Sequence, residues 1–341
     1  MNLQKELQQY LVALNVALRE SAECFLPGPP ELDLMLKYHL GWVDSSGNPC
    51  KRYSGKQLRP ALVLLATEVA GGDWQQALPA AVAVELLHNF SLIHDDIEDG
   101  SSLRRGQPAL WKIWGAPKTI NAGDAMFAWA HLALLQLAKN DVPATSVVQA
   151  VELFEKTNIV LTRGQHLDMS FEDKQSVEID EYIAMISGKS AALIATSMQL
   201  GALVAGLSLD ASMAYAAFGK NLGLAFQIRD DILGIWGNSE ATGKSNSTDI
   251  AKRKKSLPVL YGLSKSPALV ELYSNENLSV EQIATAIDIL DSVDAQEFAQ
   301  EQENYYSDQA VQLLNVIGGD SHDSSGCLLS QVVEFLLGRT F

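Results

Sequence analysis

The stretch "AAVAVELLHNFSLIHDDIEDG", residues 80–100, decides the fold class. Its apolar residues cover most of the circumference of a helix. Four acids, Asp95, Asp96, Glu98 and Asp99, then fall within five residues. A helix that is apolar nearly all round sits inside a bundle rather than on its surface. The same spacing of apolar residues at three and four recurs at 4–20, 125–139 and 216–233, and it is the helical signal. Alternating runs bounded by turn residues, the mark of strands, are nearly absent. Breaks fall at 26–33, 44–55, 68–74, 236–249 and 318–326; none reads as an inter-domain linker. No low-complexity segment or fixed-period repeat occurs. The expectation is one all-α domain over 1–341, a large helical bundle with buried central helices.

The 341 residues are 47% hydrophobic, enough for a large core. A formal net charge of −16 argues against a nucleic-acid binder, which needs a basic face. Cys24, Cys50 and Cys327 are too widely spaced to suggest a disulfide framework or a zinc site. The N-terminal "MNLQKELQQYLVAL" is charged and amphipathic, unlike a signal peptide. No uninterrupted apolar run reaches the length of a membrane span. A soluble, cytoplasmic protein is expected.

"LIHDDIEDG" (92–100) has a partner in "QIRDDILGI" (227–235). Two buried-looking helices each end in Asp-Asp-Ile, and if they face one another their acids converge on one cavity. Asp95 and Asp99 are four apart and share a helix face, with Cβ atoms about 5–6 Å apart. Alone, such a pair is equally a solvated helix end. With Asp230 and Asp231 repeating the pattern, a hard divalent cation becomes the better reading, because Mg²⁺ takes one or two carboxylates and completes its shell with water and phosphate. The sparse cations cluster in short segments: Lys56 and Arg59 in "GKQLRP", Arg104 and Arg105 in "RRGQP", Lys189 with Ser190 in "GKS", and Lys244 and Lys254 past the second acid pair. Arginine forks and lysine ammonium groups grip phosphate oxygens.

Taken in order, these motifs resemble the trans-isoprenyl diphosphate synthases, or polyprenyl synthetases. "DDIED" looks like their first Asp-rich motif and "FQIRDDILG" like their second. "GKQLRP", "RRGQP", "GQHLD" (164–168) and "GKS" match the elements between and around them. The resemblance runs from about residue 50 to 260 and implies an all-α fold with a central cavity. It also implies three Mg²⁺ ions, replaceable by Mn²⁺, on Asp95, Asp99 and Asp230. Isopentenyl diphosphate would be held by Lys56, Arg59, His88 and Arg105. An allylic diphosphate (dimethylallyl, geranyl or farnesyl) would be held by Arg104, Lys189, Ser190, Gln227, Lys244 and Lys254. Asp95, Asp96, Asp99, Lys189, Gln227 and Asp230 would carry catalysis, and a homodimer is implied.

The second motif departs from the family pattern at Gly234, where a third Asp is usual; a water-mediated role for that acid makes its loss tolerable. Ser190 stands for Thr and keeps the hydroxyl. Trp111 stands where many relatives have His and reads as a packing residue, and His94 as a structural one. For product length, helix geometry alone puts Ser91 nearer the metal face than Phe90. The resemblance instead singles out Phe90, five before Asp95, as the floor of the chain tunnel, and with Ser91 beside it gives the twenty-carbon pattern. Farnesyl or longer products are the alternative. Two other functions compete. A class I terpene cyclase lacks the grip for a second diphosphate. A non-catalytic partner subunit would be expected to lose the first acids or the arginine pair, both kept here.

Overall fold

The computed structural model describes residues 7–25, 28–50, 55–174, 176–237, 248–275, 277–318 and 324–338. They are almost wholly helical, as the apolar periodicity requires. The helices are α1 (Gln8–Phe25), α2 (Pro30–His39), α3 (Leu58–Val69), α4 (Leu78–Glu98), α5 (Leu110–Trp114), α6 (Ala116–Leu135), α7 (Ala144–Asp173), α8 (Ile179–Ile186), α9 (Ala192–Val204), α10 (Leu209–Trp236), α11 (Thr248–Ala251), α12 (Leu257–Lys265), α13 (Pro267–Tyr273), α14 (Val280–Ser292), α15 (Ala295–Gly318) and α16 (Ser324–Leu337). One antiparallel ladder interrupts them: β1 (Leu103–Arg104) pairs with β2 (Gln107–Pro108), Arg104 opposite Gln107.

Contacts divide the chain into two compact units, Met1–Glu155 with Thr196–Tyr215, and Lys156–Ala195 with Ala216–Phe341. In the first, α3 and α4 are the innermost helices. Every residue from Pro60 to Thr67 is buried, as is every residue from Ala80 to Leu87, so the all-round buried reading holds for 80–87; beyond Leu87 the helix is buried on one side, at Asn89, Ile93 and Asp96. Helix α6 packs along α4 and contributes Met126, Trp129 and Ala130 to the core; the Trp129 indole N–H donates to Ser21 Oγ at 2.8 Å. Residues 74–98 are apolar and long enough to cross a membrane by composition, yet most of that stretch is buried inside the fold, which marks a core helix.

In the second unit, Ile228 and Ile232 of α10 pack with Tyr182, Met185 and Ile186 of α8 and with Leu257 and Leu260 of α12. Ile235 of the same helix joins Ile250, Val259, Leu269 and Leu290. Burying such side chains is worth about 1.5–3 kcal/mol each. This apolar packing clamps the acid-bearing end of α10. Cys24 and Cys50 are free thiols.

Candidate active site

In the first unit the site begins at the last turn of α4. Asp99 N–H donates to Asp95 O at 2.9 Å, so the helix is intact through the motif and the two carboxylates lie one turn apart on one face. Asp99 is exposed and Asp95 half-buried, whereas Asp96 is 2% exposed. Arg104, placed by the β1–β2 ladder, explains the difference. Its Nε and Nη2 donate to Asp96 Oδ1 at 2.9 and 2.6 Å, and Nη2 reaches Asp95 Oδ2 at 3.1 Å. Burial works against the guanidinium, but Asp96 and Asp95 outweigh it and raise the Arg104 pKa. Asp96 therefore acts as the buried anchor of Arg104, with half-buried Asp95 sharing the guanidinium and Asp99 exposed one turn on.

The second arginine turns the other way. Arg105 has φ +52°, in the left-handed region, followed by Gly106 at +75°. Its Nη2 donates to Asn89 Oδ1 at 3.3 Å. Gly55 lies against this guanidinium, where a Cβ would stand 3.6 Å from Arg105 Nη2, an ordinary contact; its φ of +88°, in the left-handed region, is what calls for glycine. Burial, then Arg59, Arg105 and Arg104, push the His88 pKa well below the usual imidazole range. Burial with Arg105 and Arg104 takes His39 to about 3. Both rings are neutral at neutral pH. Arg59, His88 and Arg105 thus come together, with Lys56 three residues before Arg59 in the segment leading into α3, and three groups absent from the sequence reading join them: His39, Glu85 and Asn89.

One turn and more before the acids, Phe90 starts a ladder of rings. Its centroid is 4.8 Å from those of His94 and Phe127; Phe127 is 4.4 Å from His131, and His131 is 5.3 Å from Phe154. Ser91 spends its hydroxyl on His88 O at 2.8 Å. His94 is structural: its ring fills the space that a Cβ on Gly123 would need. Trp111 also packs, its indole N–H donating to Ser101 O at 2.7 Å.

In the second unit, residues Ser187–Ala191 form a π-helical turn after α8, a widened turn that recurs at functional sites. It rests on α7 where Gly164 meets Gly188 and Lys189, leaving no room for a Cβ on either glycine. This is why the "GQHLD" and "GKS" motifs both carry glycine. Lys189 pairs with Asp168. Ser190 Oγ donates to Gln227 Oε1 at 2.6 Å, and Gln227 Nε2 donates to Asp231 Oδ1 at 3.2 Å. Asp231 is fully buried and also accepts from Tyr182 and from Leu257 N–H at 3.3 Å. Lys254 Nζ lies 3.4 Å from Asp231 and 3.8 Å from Asp249. Burial opposes its charge, but Asp231, Asp249 and Asp168 together hold its pKa well above the ordinary value. Asp230, next to this knot, is half-buried. Lys244 lies outside the described residues.

Gly234 has a physical reason. The Asp249 carboxylate occupies the space above it, and a Cβ at 234 would collide with that carboxylate. An acid supplied from α11 lies where the third Asp of the motif would begin.

Among the described residues no three of His, Cys, Asp or Glu converge as a self-sufficient metal site. The donors available are hard carboxylate oxygens in ones and twos, Asp95 with Asp99 and, separately, Asp230. That set fits Mg²⁺ when phosphate oxygens and water complete the shell, and fits neither zinc nor a soft metal.

A model of the polyprenyl synthetase family matches residues 42–290. The chain belongs to that family. A (2E,6E)-farnesyl diphosphate synthase of Mycobacterium tuberculosis is 38% identical over 91% of this chain and 87% of its own. A geranylgeranyl diphosphate synthase of the same organism is 42% identical over 71% and 68%. The crystal structure of a polyprenyl synthetase from Streptomyces coelicolor A3(2) superposes with a TM-score of 0.89, 32% identity, over 98% of this chain and 100% of that one. This polyprenyl synthetase is therefore a prenyltransferase of isoprenoid biosynthesis with the family's all-α fold.

Of the residues expected from sequence, Asp95, Asp96 and Arg104 meet directly in the first unit, and Lys189, Ser190, Gln227 and Lys254 are linked through Asp168 and Asp231 in the second. Asp249 escaped the sequence reading; its signal would have been an acid five residues before Lys254 coupled to the glycine at 234.

Proposed function

We propose that this prenyl diphosphate synthase condenses isopentenyl diphosphate with an allylic diphosphate, head to tail, and releases mainly the twenty-carbon geranylgeranyl diphosphate. The observation that carries the length is Phe90: a single aromatic ring, braced by Phe127 and His94, stands a little over one turn before Asp95, with small Ser91 beside it. The names of the relatives divide between fifteen- and twenty-carbon products, and Phe90 with Ser91 favours the longer.

In this reading Asp95, Asp99 and Asp230 would hold three Mg²⁺ ions, or Mn²⁺ in their place; when bound these offset the charge that develops on the departing diphosphate. Arg104 is released in part from Asp95 to grip the allylic diphosphate, with Asp96 retaining it. Lys189, Lys254 and Lys244 serve the same group. Lys56, Arg59, Arg105 and neutral His88 hold isopentenyl diphosphate. The Gln227 amide and the Ser190 hydroxyl, oriented by their mutual hydrogen bond, lie near the allylic cation and stabilise it by their dipoles. Apolar walls exclude water, which would quench that cation. The double bond of isopentenyl diphosphate attacks it, a carbon–carbon bond forms, and the proton then lost passes to the departed diphosphate.

A homodimer accompanies this reading. Neither a terpene cyclase nor an inactive subunit accounts for an intact acid turn, an intact arginine pair and the "GKQLRP" loop in one chain. The test is incubation of the purified protein with Mg²⁺, isopentenyl diphosphate and each of the three starters, followed by chain-length analysis. Twenty carbons are expected; a fifteen-carbon or a thirty-carbon end product refutes the length assignment, and no product refutes the activity.

A further inference from the structure

Of the groups assigned to isopentenyl diphosphate, His88 lies on α4; Lys56 and Arg59 come from the segment that leads into α3, with Arg59 in its first turn, and Arg105 comes from the turn between β1 and β2. Each of these last two segments contains a non-glycine residue in the left-handed region, Gln57 at φ +47° and Arg105 at φ +52°. Backbone of this kind costs about 1–3 kcal/mol and persists where the surroundings over-determine it, often at ligand clamps.

The surroundings in this case are one buried polar chain. Arg105 Nη2 donates to Asn89 Oδ1 at 3.3 Å. Asn89, fully buried on α4, donates through Nδ2 to Glu85 Oε1 at 3.0 Å and to Glu85 O at 2.8 Å. Glu85, 3% exposed, is hydrogen-bonded by the Gln57 side chain, with Arg105 and Arg59 close enough to act on its charge. Gln57 Oε1 in turn accepts from Asn15 Nδ2 at 3.0 Å. The two strained residues are therefore tied to the same turn of α4, one through Asn89 and one through Glu85. A buried acid and amide in the middle of an apolar helix are a poor way to gain stability, since well-packed apolar residues serve at least as well. They are a good way to fix one geometry, because a fully satisfied polar network tolerates no slack.

We propose that Glu85 and Asn89 are positioning residues that set the spacing of the two cationic segments, and so the affinity for the diphosphate of isopentenyl diphosphate. This rests on the reading above that Lys56, Arg59 and Arg105 hold that group. Asn89 fixes the Arg105 guanidinium. Glu85 fixes Gln57, which caps α3 between Lys56 and Arg59 and so sets how Lys56 and the first turn of α3 that carries Arg59 are placed.

The test is steady-state kinetics of the full-length enzyme, varying each substrate at saturation of the other, with folded fraction checked by circular dichroism. Asn89→Ala is expected to raise the KM for isopentenyl diphosphate about tenfold, the scale of one hydrogen bond to a charged group, with kcat and the allylic KM unchanged. In an Arg105→Ala background the same substitution adds little, since it acts through Arg105. Gln57→Gly keeps the left-handed backbone and removes only the side chain, and is expected to raise the same KM. Glu85→Gln, which keeps one oxygen to accept from Asn89 but sets an amide donor where a second acceptor stood, is expected to raise that KM less than Glu85→Ala does. If Arg105→Ala raises that KM and Asn89→Ala does not, the positioning role is wrong while the site assignment stands. If Arg105→Ala itself leaves that KM unchanged, the underlying assignment fails. An equal loss on both substrates with a reduced folded fraction assigns a structural role only and overturns the proposal.

Discussion

Phe90→Ala should lengthen the product, and by a limited step. Phe90 lies five residues before Asp95, about 7.5 Å of helix rise. Its ring does not end the aromatic material: Phe127 follows at 4.8 Å, His131 at 4.4 Å beyond that, and Phe154 at a further 5.3 Å. Removing the first ring moves the floor down by one ring spacing, close to the rise of one helical turn, about 5.4 Å. That space suits one further five-carbon unit, so the main product should shift from twenty to about twenty-five carbons, by the same geometric estimate, and not to an open-ended series. Phe90→Ala with Phe127→Ala should release a second step. Because Phe90 is only half-buried, the stability cost should fall below the roughly 3–5 kcal/mol of a core Phe→Ala change. The assay is chromatography of the dephosphorylated products at low enzyme and saturating isopentenyl diphosphate. A variant that still stops at twenty carbons removes Phe90 as the floor. A broad distribution of long products removes Phe127 as the next one.

Asp95→Ala should lower turnover roughly a hundredfold or more, as loss of a principal electrostatic contribution does, and excess chelator should abolish activity; full activity in chelator would refute the metal assignment. Gly234→Ala should cost about 1–3 kcal/mol in urea unfolding, the scale of overpacking, because its methyl group meets the Asp249 carboxylate; an unchanged midpoint would show that Asp249 moves freely. Acid should weaken the fold through His39. Its folded pKa of about 3 lies below the unfolded value near 6.5, so the unfolded chain binds the extra proton and stability falls as pH drops through 6.5. Between about pH 7.5 and about pH 5.5 the loss from this one residue is about 1.4 kcal/mol, and His39→Gln should flatten the unfolding-midpoint profile by that amount.

What could be read from the chain alone was whatever depends on near neighbours. The all-round apolar character of 80–100 marked a buried helix because helical periodicity is a local property. Asp95 and Asp99 could be placed on one face because residues four apart always share one. Gly55, Gly164 and Gly188 could be recognised as parts of motifs; Gly55 answers to its own left-handed backbone, but the reason for Gly164 and Gly188, the close approach of another backbone, is tertiary. The partners that organise the site were not legible, because they meet across long and patternless separations. Arg105 finds Asn89 sixteen residues away, Lys189 finds Asp168 twenty-one away, and Asp231 finds Tyr182 forty-nine away. The π turn at 187–191 gave no signal, since its sequence is as compatible with an ordinary helix. Gly234 is the clearest division between the two. The sequence alone marks it as a lost acid. Folding brings Asp249 over it from the next helix, fifteen positions later, and only that packing shows that a carboxylate is still present there and that a methyl group at 234 would have to displace it.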